Sequence, residues 1–71
     1  MTDVLLVGGG GREHALAWKL AQSPLLGRMI AAPGNPGIAA HARCVPVKDT
    51  ALDQLVDLAR KERPDLVVVG P

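Results

Sequence analysis

The chain has no tyrosine and no phenylalanine, and Trp18 is its only aromatic residue. Bases of a single-stranded nucleic acid therefore have no platform on which to stack. Eight basic and seven acidic residues leave a net charge of +1, too even a balance for the basic footprint of a nucleic-acid surface. One cysteine, Cys44, excludes an internal disulfide, and no Cys/His cluster has the spacing of a metal site. At the N-terminus only Val4 to Val7 separate Asp3 from a run of glycines, far short of a secretory apolar region. No apolar run reaches membrane-spanning length. These absences lead to the expectation of a cytoplasmic protein that engages neither membrane nor nucleic acid.

What is present points to a small globular unit. Seventy-one residues permit one domain. A chain of this size buries only about 60% of the surface it exposes when unfolded, and such a core contributes about 3–5 kcal/mol of net stability at most. The chain is therefore expected to be marginal alone, or to be an incomplete part of a larger polypeptide. Its apolar content is dominated by valine, leucine and alanine, suited to strands buried on both faces with helices close against them.

Glycine and proline punctuate the chain. Val4-Leu5-Leu6-Val7 is a short apolar run stopped by four glycines, which favours a buried strand. Arg12 to Gln22 reads as a helix with Leu16 and Leu20 one turn apart, ended by Ser23-Pro24. Met29 to Ala32 reads as a second strand. It runs into the loop Pro33-Gly34-Asn35-Pro36-Gly37 and a short helical turn within Gly37 to His41. Cys44 to Val47 is a third strand, placed at an edge because Pro46 cannot donate to a ladder. Thr50 to Arg63 carries the stripe Leu52, Leu55, Val56, Ala59 and reads as a helix, with Asp49 or Thr50 as its cap and Pro64 as its stop. Leu66 to Val69 is a fourth strand, closed by Gly70-Pro71.

Strands alternating with helices imply an open parallel α/β sheet of Rossmann-like form, with right-handed crossovers and helices on both faces. The expected strand order is 3-2-1-4. Strands two and three step outward from the first, and the fourth crosses back to its other side. That reversal is a topological switch point, where such sheets bind ligands in the crevice beyond the strand C-termini. The segments Gly8 to Gly11 and Gly70 fall at that crevice.

A glycine loop between strand and helix lets backbone amides approach a ligand closely, and the helix start adds unpaired N–H groups and a positive dipole end. Gly8, Gly9, Gly10, Gly11 and Arg12 thus suit a phosphate, although a tight packing turn would need some of the same glycines. A dinucleotide fingerprint requires G-x-G-x-x-G and an acid about 20 residues later. Counted from Gly8 and Gly10 the third position is Glu13, and from Gly9 and Gly11 it is His14. The second strand ends in Ala31-Ala32-Pro33, without a carboxylate for a ribose. An NAD(P)-binding domain is the enzymatic alternative, and a free-standing phosphate-binding α/β module the non-catalytic one.

The run Gly8-Gly9-Gly10-Gly11-Arg12-Glu13-His14-Ala15-Leu16-Ala17-Trp18 resembles the opening of the glycinamide ribonucleotide synthetase family. Ala32-Pro33-Gly34-Asn35-Pro36-Gly37 resembles its second motif, in which Ala more often follows the Asn. Val67-Val68-Val69-Gly70-Pro71 resembles its third, which normally continues into Glu. The resemblance covers essentially the whole chain. It implies an ATP-grasp ligase of de novo purine biosynthesis in which ATP and magnesium activate glycine as an acyl phosphate. The amine of 5-phosphoribosylamine then attacks to give glycinamide ribonucleotide. It also implies that residues 1–71 form the N-terminal, phosphoribosyl-binding part of a pre-ATP-grasp domain. The glycine loop would take the 5-phosphate, and the Asn35 and Gly70 loops would shape the ribose pocket. The ATP-grasp domains lie outside these residues. No catalytic residue and no metal ligand is assigned here, and residues 1–71 alone are expected to be inactive.

Individual residues have bland readings too. Arg12 suits a forked phosphate contact or a solvated first turn. Glu13 sits badly beside a phosphate, and suits a substrate amine, a ribose hydroxyl or the helix start. His14 reads as packed or hydrogen-bonded rather than a general base, Trp18 as packing, and Asn35 as a turn former or a ribose contact. Cys44 reads as a small core residue without an activating base.

Overall fold

The computed structural model describes residues 1–70. Strand β1 spans Thr2–Gly8, helix α1 Gly11–Ala21 and strand β2 Leu26–Pro33. A single 3-10 turn, Ile38–Ala40, precedes the two-residue strand β3, Arg43–Cys44. Helix α2 covers Leu52–Glu62 and strand β4 Leu66–Val69. All pairings are parallel, and the spatial order is β3-β2-β1-β4, as the alternation of elements predicts.

The register explains why β1 is a continuous apolar run. It is the strand paired over four consecutive residues on both edges: Leu5 lies between Ile30 and Val67, and Leu6 between Ala31 and Val68. Alternate side chains then feed two cores. Val4, Leu6, Met29 and Ala31 pack with Ala17 of α1 and Ile38 of the 3-10 turn. Leu5, Val7, Ile30 and Ala32 pack with Leu58 of α2 on the opposite face. One helix on each face is the arrangement expected for this class.

Four local expectations change. The third strand is shorter than Cys44 to Val47. The Val45 amide still donates to Ala31 O at 2.8 Å, but the next available amide, that of Val47, turns back to Val45 O at 2.7 Å. Pro46, with no N–H, lies between them and ends the ladder. Helix α2 is capped by neither Asp49 nor Thr50. Ala51 holds the cap position without a side-chain bond, because the turn formed by its amide and Lys48 O brings it there. The stripe on α2 is also only half covered: Leu55 and Ala59 pack with buried Leu58 against the sheet, while Leu52 and Val56 stay exposed along an apolar groove shared with Val67 and Val69. On α1 the fourth expectation changes: Trp18, read as packing, is 57% exposed on the outer face of the helix body, and Leu16 is 40% exposed.

The end of the sheet away from the glycines is tied by charge. Arg28 donates through Nη1 to Glu62 Oε1 at 2.7 Å and through Nη2 to the Glu62 carbonyl. Its Nε reaches Asp3 Oδ2 at 3.3 Å, and Arg43 Nη2 lies 2.9 Å from the same Glu62 oxygen. Asp3 and Asp65 exchange bonds through the Asp3 amide and the Asp65 amide, both at 2.8 Å. The Arg28 hydrogen bond, then that of Arg43, holds the Glu62 carboxyl below the usual carboxylate range. A carboxylate whose folded pKa is depressed stabilises the fold above its unfolded pKa, and that contribution fades as pH falls through the folded value. Thermal melts from pH 7 to pH 3 should therefore show a loss of stability at acid pH that Glu62→Gln reduces. Equal acid slopes for the two proteins would refute this account. Among the described residues, no helix is long and apolar enough to cross a membrane.

Candidate functional site

The C-terminal ends of β1, β2 and β4 present three loops at one pole: Gly8–Gly11, Pro33–Gly37 and Gly70. The first leads into α1, whose N-cap is Gly10 in an extended conformation, φ −92° and ψ −175°. Serine, threonine or aspartate at this position would turn a side-chain oxygen onto the first-turn amides. Glycine leaves them open. The amides of Gly11, Arg12 and Glu13 find no acceptor among the described residues, and the first helical bond runs from His14 N to Gly10 O at 3.0 Å. Three amides at the positive end of a helix, with Gly10 and Gly11 exposed, form a surface suited to an anion.

Glu13 does not oppose that anion from the loop surface. It is 6% exposed, folded beneath the loop, where Oε1 accepts the Gly10 amide at 3.1 Å. This is one half of a reciprocal helix cap, the other half being absent because Gly10 has no side chain. The carboxylate fills the crevice between β1 and β4. A Cβ on Gly8 would lie 2.6 Å from Glu13 Cγ, and one on Gly70 2.7 Å from Oε2. Gly8 also has φ +136°, a conformation closed to other residues. The geometry of Glu13 thus matches the helix-start reading. At this position a dinucleotide fingerprint has a third glycine, which allows helix and strand to pack closely. Here a buried acid takes that place.

The loop after β2 is built against the first loop. Gly34, at φ +72°, donates its amide to Gly8 O at 3.1 Å. The Asn35 side chain is engaged at both ends: Nδ2 donates to Gly9 O at 2.9 Å, and Oδ1 accepts the Ile38 amide at 2.8 Å. Cys44 lies under this loop, its thiol directed to Asn35 O at 3.8 Å and its Cβ 3.2 Å from where a Gly34 Cβ would stand. The imidazole of His14 rests over Gly37, 2.7 Å through Nε2 from an added Cβ, while remaining exposed to solvent.

Arg12 is exposed and makes no ion pair among the described residues. With Ala15, Leu16, Val69 and Gly70 it lines an open cleft of about 400 Å³ beside the helix start. The structure thus brings Gly8, Gly9, Gly10, Gly11, Arg12, Glu13, Asn35 and Gly70 to one pole, in two layers. The first-turn amides and Arg12 face outward, while Glu13 and the Asn35 side chain hold the loops from within. The helix-start reading of Glu13 and the turn reading of Asn35 describe part of this second layer, and the Asn35 bond to Gly9 was not foreseen. The Glu three residues after the cap was the available signal for Glu13. No local signal exists for Asn35, whose Gly9 partner is 26 residues away.

A sequence profile described as the N domain of phosphoribosylglycinamide synthetase matches residues 2–71. The phosphoribosylamine–glycine ligase of Caulobacter vibrioides is 68% identical over 68 residues, covering 96% of this chain and 16% of that protein. Proteins of the same name from Phenylobacterium zucineum and Rhizobium meliloti are 56% and 57% identical, over 97% and 96% of this chain. The chain spans about 16% of the length of each of these relatives.

Proposed function

Because this chain belongs to the phosphoribosylglycinamide synthetase N-domain family, we propose that it forms the phosphoribosyl-binding lobe of a ligase joining glycine to 5-phosphoribosylamine. The observation that carries the proposal is the open first turn of α1 at the switch point, where three unpaired amides follow a glycine cap. A 5-phosphate placed there accepts from Gly11, Arg12 and Glu13, with the Arg12 guanidinium able to fork onto its oxygens. Asn35 and Gly70 border the ribose side.

On this reading the reaction belongs to de novo purine biosynthesis in the cytoplasm. ATP supplies the activation of the glycine carboxylate, and ATP and magnesium are held by ATP-grasp domains elsewhere in the polypeptide. Among the described residues no three His, Cys, Asp or Glu side chains converge as a metal site. The contribution of residues 1–71 is to bind and orient the phosphosugar, whose amine must reach an acyl group held by the rest of the protein. Proximity of this kind is itself a large part of catalysis.

Titration of the intact protein with glycinamide ribonucleotide, followed through backbone amide resonances, tests the proposal. Shifts at Gly9 to Glu13, with weaker shifts from inorganic phosphate and none from NAD, are expected. Silence of those amides at millimolar glycinamide ribonucleotide would end it.

A further inference from the structure

We infer that Asn35 is a positioning residue that locks the two loops of the site into one preformed cradle. The inference rests on the phosphosugar reading above only for its effect on affinity.

Asn35 lies in the loop at the end of β2, yet its amide nitrogen holds the carbonyl of Gly9 in the loop at the end of β1. Its carbonyl oxygen holds the amide of Ile38, a residue with no exposed surface that is fixed in the core under α1. The backbone carbonyl of Asn35 accepts from Ala39 at 2.9 Å, completing the anchor. The glycine loop is thereby tied through one side chain to a residue of the core beneath α1. Close backbone approach reinforces the tie: an added Cβ at Gly9 would lie 2.7 Å from Gly34 O. The Asn35 side chain is half-buried, and both its polar ends are used within the protein.

A loop of four glycines has the largest conformational entropy a chain can have. Ordering it upon binding would weaken affinity by the cost of that ordering. Asn35 offsets this in advance by fixing the Gly9 carbonyl, hence the peptide planes on which the Gly10 cap and the first-turn amides depend. The side chain acts through the loop, and not by touching ligand.

Asparagine does two tasks here, and one substitution separates them. Asn35→Asp keeps an oxygen for the Ile38 amide, so the 3-10 turn stays anchored. It loses the donor to Gly9 O and faces that carbonyl with a carboxylate instead. Hydrogen exchange of the ligand-free intact protein should accelerate at least about tenfold at Gly10 and His14 in Asn35→Asp, with exchange at the Ile38 amide unchanged. This arm needs no ligand, so it judges the brace even if the phosphosugar reading fails. In the ligase assay, KM for 5-phosphoribosylamine should rise about tenfold with KM for glycine and ATP unaltered. Unchanged exchange at Gly10 and His14 would overturn the brace. Accelerated exchange with an unaltered phosphosugar KM would overturn its positioning role.

Discussion

Gly10→Asp should reduce affinity for the phosphosugar at least about 100-fold, a loss of about 2.7 kcal/mol, without unfolding the protein. The position tolerates a side chain. Its backbone is extended, at φ −92°, and an added Cβ would meet only Glu13 Oε1, at 3.5 Å. A carboxylate there accepts from the first-turn amides and presents a negative charge where the phosphate would sit. Gly10→Ser is the neutral counterpart. It completes the reciprocal cap with Glu13, so it should raise stability by a few tenths of a kcal/mol while weakening binding about tenfold. Together the pair decouples fold from function: the melting temperature holds or rises as affinity falls. Calorimetric titration and thermal melts of both variants measure this. Undiminished binding by a folded Gly10→Asp protein would remove the helix start from consideration as the anion site.

The second large effect concerns the fold. Gly8→Ala should destabilise by about 3 kcal/mol or more, comparable to all the net stability expected of a core this small. Two costs combine. At φ +136° no alanine is comfortable, and the new methyl would displace the Glu13 side chain that caps Gly10. By contrast, an added Cβ at Gly11 meets nothing within 4 Å, so Gly11→Ala should be within about half a kcal/mol of the parent or slightly stabilising. Adding Glu13→Ala to Gly8→Ala should recover the steric part of the loss and leave the backbone part. Urea denaturation of the parent, Gly8→Ala, Glu13→Ala and the double variant measures the cycle, with Gly11→Ala as the control. Equal midpoints for Gly8→Ala and the parent would show that neither cost exists.

The comparison of Gly8, Gly10 and Gly11 also illustrates what could be read from the amino-acid sequence. Four consecutive glycines at a strand–helix junction mark a candidate site, and proline and glycine stops make the strand order 3-2-1-4 legible. They do not say which glycine does what. That depends on φ at Gly8, on openness at Gly11 and on the absent cap at Gly10, all of which are set by packing. The same limit explains the other differences. Cys44 to Val47 has strand composition, but pairing beyond Val45 requires an amide that Pro46 lacks. Leu52 and Val56 fit the helical stripe, yet the sheet beneath α2 is narrow, and β4 leaves Val69 68% exposed. The Asn35 brace was invisible because its partner is a carbonyl, a group every residue carries. Glu13 was legible in type and not in direction: a helix-start acid can turn outward to solvent or inward, and only the glycines at 8 and 70 give it room to turn inward.

The strand order has a consequence in time as well as in space. β1 is made first, but the strand on one of its edges is β4, the fourth to be made. At about 5–20 residues per second, roughly 60 residues must be added between them, so a ribosome leaves that edge of β1 without its native partner for several seconds. The unit β1–α1–β2 closes only the other edge. During that interval the nascent chain carries an unsatisfied strand edge flanked by Leu5 and Val7. The same reversal of strand order that opens a crevice beyond β1 and β4 thus creates a period in which a chaperone has most to grip.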